Sequence, residues 1–332
     1  MSRTVQLHVG INGQFCAARW EQPDSWVRLT RELGFRWHEL SGDLLDPLYG
    51  GDRQFQTEVA RQAKKAARAG DVAFCAVDAG IAPRCSHGLS HTHAIPRQTM
   101  VEWVVAAMSI ARELGARRVT GHWDSIPVET LEQGEDAAKK AIRSQYEIIR
   151  DLARIGGDME LSGLCVEQSY VPARTPCTIK QAEEMLIATN RNNPGCPVHV
   201  TVNVGHMAGA GYGLEGRDLD YLEWLKALAA FSPIIHLQQT KPDVCCNWPF
   251  TDEYNQQGHI ELGRVIEAIQ WGHEHWEESW VSEVMEPIHE SWLILKVIPP
   301  LNQTETSLLE DLGASAAHIE QSVPGGRTTL NV

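Results

Sequence analysis

Short runs rich in Val, Ile, Leu and Cys alternate with longer amphipathic runs along almost the whole chain, and this alternation restricts the possible folds more than any other feature. Such alternation is typical of a parallel sheet with helices packed on its faces. Residues 99–114, for example, keep an apolar stripe and stop at Gly115, a common residue just after a helix. We predict eight strands, near residues 4–9, 36–41, 72–78, 117–122, 161–168, 198–204, 234–239 and 280–285.

Two architectures accommodate eight such units, a closed barrel and an open doubly wound sheet. Open sheets that bind dinucleotides usually carry GxGxxG directly after the first strand. Here the corresponding segment is GINGQFC at residues 10–16, which lacks the third glycine and opens no helix. We therefore predict an α/β fold of the (β/α)8 TIM-barrel type with a single domain. Residues 1–300 would form the catalytic barrel, and residues 301–332 a C-terminal helix and tail packed on it.

The charge and the cysteine content exclude several classes of protein. A formal net charge of −14 argues against a nucleic-acid-binding groove, and an anionic substrate would need a local basic site. Eight cysteines in a chain of 332 residues do not fit a disulfide-stapled secreted scaffold. The sequence shows neither a signal-peptide pattern nor an apolar run of about 18 residues. We predict a cytoplasmic protein without a membrane-spanning helix.

Polar residues end several of the predicted strands, and barrel enzymes place their active sites at those ends. The last four strands carry Glu167, Asn203, His236 and Glu283. Taken singly, a glutamate here could be an ion-pair partner and the histidine a hydrogen-bonded core residue. Their succession on four strands indicates a metal site instead, because a buried carboxylate must be paired, protonated or metal-bound. For this donor set we predict Mn²⁺ first, with Mg²⁺, Co²⁺ or Zn²⁺ as alternatives.

Four phrases resemble the sugar-phosphate isomerase/epimerase family of xylose-isomerase-like barrels: VEQ at 166–168, NVGH at 203–206, HLQQT at 236–240 and SEV at 282–284. The resemblance covers residues 1–295. It implies that Glu167, Asn203, His236 and Glu283 bind the metal and that His206 touches the substrate. The family pattern has Asp where this chain has Asn203. Loss of that negative charge predicts weaker metal binding or altered chemistry.

Longer phrases at residues 21–47, 121–129 and 236–260 resemble the D-erythrulose-1-phosphate 3-epimerase branch of that family. The resemblance implies a metal-dependent isomerase or epimerase of a small ketose or ketose phosphate. Glu167 and Glu283 would act as the acid/base pair on an enediolate. His122 and His206 are candidates for hydroxyl contacts or a proton relay. Gln238 is a candidate for a contact with sugar hydroxyls, and Lys241 for a contact with a phosphate.

Three alternatives stay open on the sequence. A metal-dependent C-glycoside deglycosidase would use a similar enediolate, and this chain would be its α-subunit in a hetero-oligomer. An inactive sugar-binding barrel would explain Asn203. A related endonuclease is disfavoured by the charge of −14 and by a ligand set that suits one metal. By analogy with other barrels of the family, we expect a homo-oligomer.

Overall fold

A computed structural model describes residues 3–332, except for the side chains of Ala82 and Arg84. In this part of the chain, eight parallel strands follow one another around a barrel that closes where the last strand pairs with the first. The predicted (β/α)8 barrel is therefore confirmed. The barrel strands are β1 (Thr4–Asn12), β2 (Trp37–Ser41), β3 (Ala73–Asp78), β4 (Arg118–Gly121), β5 (Gly163–Glu167), β6 (Val198–Asn203), β7 (Ile234–Leu237) and β10 (Glu290–Leu295).

Helices surround the barrel, and further strands lie at its rim and beside its first strand. A hairpin of β8 (Gln239–Lys241) and β9 (Val244–Trp248) follows β7, and β11 (Arg327–Asn331) pairs antiparallel with β1. Among the described residues, no helix combines the length and apolarity needed to cross a bilayer. The helices are α1 (Pro23–Glu32), α2 (Arg53–Ala69), α3 (Ala94–Leu114), α4 (Val128–Glu132), α5 (Glu135–Asp158), α6 (Ile179–Asn190), α7 (Tyr221–Leu228), α8 (Asp252–Gln257), α9 (Leu262–Glu274) and α10 (Glu305–Ser322).

The eighth barrel strand lies later in the chain than we predicted, at Glu290–Leu295. The predicted segment 280–285 instead begins with a 3-10 turn over Trp280–Glu283, capped by the hydroxyl of Ser279. Strands of parallel sheets are buried on both faces and therefore carry continuous apolar runs. Residues 292–295 read WLIL, whereas Ser282 and Glu283 interrupt the apolar run of the earlier segment. The assignment of the eighth strand to 280–285 was wrong.

Two groups of apolar side chains form the core. The larger group includes the apolar faces of the helices, among them Trp26, Trp103 and Trp224. The smaller one consists of Cys75, Ala76, Cys165, Ile234, Trp292 and Ile294. Its members come from strands on different sides of the barrel, so they meet in its interior. Close packing inside the barrel makes it a filled scaffold that holds the strand ends in fixed positions.

Buried neutral histidines make the stability of the fold sensitive to acid. Burial, together with the nearby charge of Arg118, lowers the pKa of His199 to about 3. The ring nitrogen Nδ1 lies 3.2 Å from the carbonyl oxygen of Phe231. His38 and His273 are likewise lowered to about 3. A base with a folded pKa below its unfolded value of about 6.5 contributes stability above pH 6.5. That contribution falls as the pH drops from about 6.5 towards 3.

We expect His199→Gln to weaken this acid sensitivity, because glutamine keeps a donor for the Phe231 carbonyl but takes up no proton. Between pH 7 and pH 5 the wild type should lose about 2 kcal/mol of unfolding free energy more than the variant. Urea denaturation followed by circular dichroism at both pH values measures the difference. Equal losses in the two proteins would show that His199 does not become protonated on unfolding in this range.

Candidate functional site

A layer of buried polar side chains lies at the carboxyl ends of the barrel strands. Unpaired charges are not stable in such surroundings, so each charged member needs partners within the layer. No member is more than 2% exposed to solvent. The members are Asn12, Glu39, Asp78, Glu167, Asn203, His236 and, directly after β10, Lys296.

Glu167 lies at the centre of the layer. Its Oε1 accepts a hydrogen bond from Asn203 Nδ2 at 2.8 Å, and its Oε2 accepts one from Lys296 Nζ at 3.2 Å. His122 Nε2 lies 3.5 Å from Oε2. Burial alone would raise the pKa of Glu167, but Lys296, His236 and His122 outweigh it and hold the pKa well below its usual value. Glu167 is therefore an ionised carboxylate in a water-poor setting.

His236 bridges two carboxylates. Its Nδ1 donates to Glu167 Oε1 at 2.9 Å, and its Nε2 donates to Glu39 Oε2 at 3.0 Å. Burial and Lys296 lower the pKa of His236, but Glu39 and Glu167 outweigh them and raise it to about 9. A protonated imidazole has no lone pair for a metal. Both ring nitrogens of His236 lie against carboxylates in this structure, and its role as a metal ligand stays a prediction.

Asn203 is also engaged on both sides of its amide. Its Nδ2 donates to Glu167, and its Oδ1 accepts from Gln238 Nε2 at 2.8 Å and from the backbone N–H of Gly205 at 3.0 Å. The reversed amide would place its oxygen against a carboxylate and its NH₂ against an N–H, so these partners fix the orientation. The oxygen that we predicted as a metal ligand is occupied by two donors.

Gln238 holds Asn203 in place. Besides donating to Asn203, it accepts a hydrogen bond at Oε1 from the backbone N–H of Asn247 at 2.6 Å. A Cβ at position 205 would lie 2.2 Å from Gln238 Cδ, so a residue larger than glycine there would displace the Gln238 amide. The amide that we predicted to bind sugar hydroxyls therefore makes its contacts within the protein.

Two other predicted residues lie away from the layer. Glu283 is on the 3-10 turn before β10; its side chain is 65% exposed and lies 3.7 Å from Arg191. The structure does not bring Glu283, predicted as a metal ligand and acid/base group, to the polar layer, because its carboxylate is on this turn and not on a barrel strand. Lys241 is on the hairpin strand β8, where its Nζ lies 5.4 Å from the centroid of the Trp248 ring.

Lys296 directly follows the eighth barrel strand, β10, and its side chain lies in the polar layer. Its Nζ lies 3.0 Å from Asp78 Oδ2 and 3.2 Å from Glu167 Oε2. We did not select Lys296, Asn12, Glu39 or Asp78 as site residues from the sequence. A visible signal for Lys296 was its position directly after the apolar run WLIL, where a charge must be buried with the strand. For Glu39 and Asp78 the signal was a carboxylate at the end of a strand.

His122, Glu167 and His206 form a His–Glu–His cluster on the β4–β6 side of the layer. One ligand atom from each lies within 4.8 Å of the others, and all three residues are buried. His206 Nδ1 lies 2.8 Å from the carbonyl oxygen of Gln168, so the hydrogen on Nδ1 is donated and Nε2 carries the lone pair. Two imidazoles and one carboxylate are a common donor set for transition metals. This cluster can hold a divalent metal ion, and it shares only Glu167 with the four ligands predicted from the sequence.

Comparison with known proteins agrees with the resemblance seen in the sequence. No family model matches the chain. A curated relative, D-erythrulose 1-phosphate 3-epimerase of Brucella abortus (strain 2308), is 21% identical over 273 residues, which span 81% of this chain and 85% of the relative.

Solved structures share the fold. A protein of Rhodospirillum rubrum ATCC 11170, provisionally named a xylose isomerase, superimposes with a TM-score of 0.79 at 18% identity and covers 96% of this chain and 100% of its own. The IolI protein, solved with a zinc atom, has a TM-score of 0.64 at 14% identity, with 96% and 99% covered. At these identities the structural likeness shows a shared (β/α)8 barrel fold.

Proposed function

We propose that this barrel, with its likeness to a ketose-phosphate epimerase, is an isomerase or epimerase of a small ketose or ketose phosphate. The observation that carries the proposal is the ionised carboxylate of Glu167, buried at the barrel mouth between protonatable groups. Moving a carbonyl, or inverting the carbon beside it, begins with removal of a proton from that carbon. A positioned carboxylate is suited to that step.

The surroundings of Glu167 suit the intermediate of such a reaction. Proton removal leaves an enediolate, whose negative charge needs fixed positive groups nearby. Lys296 and His236 supply two such charges next to Glu167. With Glu283 outside the site, the return of a proton falls to another group. We propose His122, whose Nε2 lies 3.5 Å from Glu167 Oε2, as the relay for that proton in the metal-free site.

A divalent metal in this site would be held by the His–Glu–His cluster. When bound, it would supply Lewis-acid stabilisation of the enediolate oxygens. Imidazole nitrogens suit Mn²⁺, Co²⁺ and Zn²⁺ better than Mg²⁺, which prefers oxygen ligands and keeps its waters. Of these three ions we propose Mn²⁺, which is also the ion that we predicted from the sequence.

A phosphorylated substrate is the finer part of the proposal. By its name, the curated relative acts on D-erythrulose 1-phosphate. Lys241, on the hairpin that begins two residues after the end of β7, is the cation that we propose for a phosphate group. At present its ammonium faces the Trp248 ring, a contact that a phosphate would replace.

Proton exchange tests the proposed reaction. We expect D-erythrulose 1-phosphate, or an unphosphorylated tetrulose, pentulose or hexulose, to incorporate deuterium beside its carbonyl when incubated with the protein in D₂O. Nuclear magnetic resonance then shows loss of the proton signal together with a new isomer or epimer. Ketoses that bind without exchanging would contradict the proposal and support the sugar-binding alternative.

A further inference from the structure

We propose that the ammonium group of Lys296, held between Asp78 and Glu167, is the resident cation at the strand ends where the sequence predicted a metal. The inference concerns which cation occupies these strand ends, so it holds whether or not the chain isomerises sugars. It shares Glu167 with the His–Glu–His cluster but concerns the Asp78 and Lys296 side of that carboxylate, whereas His122 and His206 approach it from the ends of β4 and β6.

Six of the polar residues form a closed circuit of contacts, which we call the charged ring. From Lys296 it passes to Glu167 (3.2 Å), then to His236 (2.9 Å) and on to Glu39 (3.0 Å). From Glu39 it continues through Asn12 Nδ2 (2.6 Å) to Asp78 (3.3 Å) and returns to Lys296 (3.0 Å). Each of the six contacts joins a nitrogen donor to a carboxylate oxygen, so no contact pairs two donors or two acceptors.

The charges of the ring match those contacts. Three carboxylates face three donors, namely the Lys296 ammonium, the His236 imidazole and the neutral amide of Asn12. The Lys296 ammonium touches two of the three carboxylates, Asp78 and Glu167. Charge-assisted hydrogen bonds of this kind are strong in a low-dielectric interior. A divalent ion at this place would meet the positive charge of Lys296 and would have to break the ring.

The contacts of the predicted ligands Asn203 and His236 also oppose metal binding at this place. Asn203 Oδ1 accepts hydrogen bonds from Gln238 Nε2 and from the backbone N–H of Gly205. Both ring nitrogens of His236 lie within hydrogen-bond distance of carboxylate oxygens. Metal binding would require a neutral, acceptor imidazole and a vacant oxygen. The Lys296 ammonium and the hydrogen-bonded side chains of Asn203 and His236 therefore each oppose a metal ion at this place.

Metal content of point variants tests the inference. We expect His236→Gln to leave the Mn²⁺ or Zn²⁺ content of the wild type unchanged after dialysis against either ion, and His206→Ala to remove whatever metal the wild type carries. Mass spectrometry gives the content, and circular dichroism verifies that both variants are folded. Loss of metal in His236→Gln together with retention in His206→Ala would overturn the inference.

A rebuilt site provides the converse test. The double variant K296E/N203D exchanges the ammonium and the amide for carboxylates, and we expect it to gain a metal ion when refolded with Mn²⁺. Adding His236→Gln should remove that ion, and adding His206→Ala should not. Absence of any gain in a folded K296E/N203D protein would show that Lys296 is not what keeps a metal out. These outcomes involve no ketose turnover, so they are separable from failure of the proposed enzyme activity.

Discussion

Replacing Glu167 by glutamine is expected to lower kcat/KM on the accepted ketose by about 10²- to 10⁴-fold, the usual contribution of a general acid/base group. Glutamine preserves the size of the side chain but cannot take a proton from the substrate. It also removes the negative charge that Lys296 and His236 face. Rates measured by the deuterium-exchange assay give the effect, with circular dichroism to verify the fold.

The matched control is Glu283→Gln, the same chemical change at the other glutamate that the sequence nominated. Glu283 lies on an exposed turn and pairs only loosely with Arg191, at 3.7 Å. Exposed pairs of this kind contribute about 0–1 kcal/mol to stability, so activity and fold should both stay at the wild-type level. A Glu283→Gln protein as impaired as Glu167→Gln would instead restore Glu283 to the site.

Replacing Lys296 by methionine is expected to lower the free energy of unfolding by about 3–5 kcal/mol at neutral pH. Methionine fills a similar volume but leaves Asp78 and Glu167 buried without the cation that lies about equally close to both. Urea denaturation at pH 7 measures the loss. In the double variant K296M/D78N only one buried carboxylate, Glu167, lacks the cation instead of two. This variant should therefore recover part of the lost free energy of unfolding.

A solvent-exposed ion pair provides the comparison for this experiment. Arg28 and Glu32 lie one helical turn apart in α1, with side chains 54% and 56% exposed. Arg28→Met should cost less than about 1 kcal/mol, because water already solvates both groups. If Lys296→Met were as mild as Arg28→Met, the ammonium could not be neutralising buried carboxylates.

The sequence predicted the barrel well because apolar runs and helix periodicity are local signals. Seven strands were placed within a few residues of their positions. Glu167 and Asn203 end strands in the polar layer, and His236 lies one residue before the end of its strand. The eighth strand was misplaced because 280–285 and 290–295 are both rich in apolar residues. The SEV phrase at 282–284, which resembles the family pattern, favoured the earlier segment. Glu283 was therefore assigned to the end of a strand.

The chemistry of the layer could not be predicted in the same way. Whether Asn203 offers its oxygen to a metal depends on Gln238 and Gly205, whose side chain and backbone approach it only in the folded barrel. Likewise, the protonation of His236 depends on Glu39, a residue far away in the chain that β1 and β2 bring across the barrel. Pairings across the barrel depend on register and curvature, which single-sequence patterns do not encode.

Closure of the barrel between β1 and β10 has a consequence for the order of events during translation. Glu39, Asp78 and Glu167 leave the ribosome well before Lys296, the cation that neutralises two of them. Nascent chains that end before β10 must therefore keep these carboxylates hydrated or protonated. The mouth of the barrel becomes native only after synthesis is almost complete, when the last strand reaches the first and brings its own counter-charge.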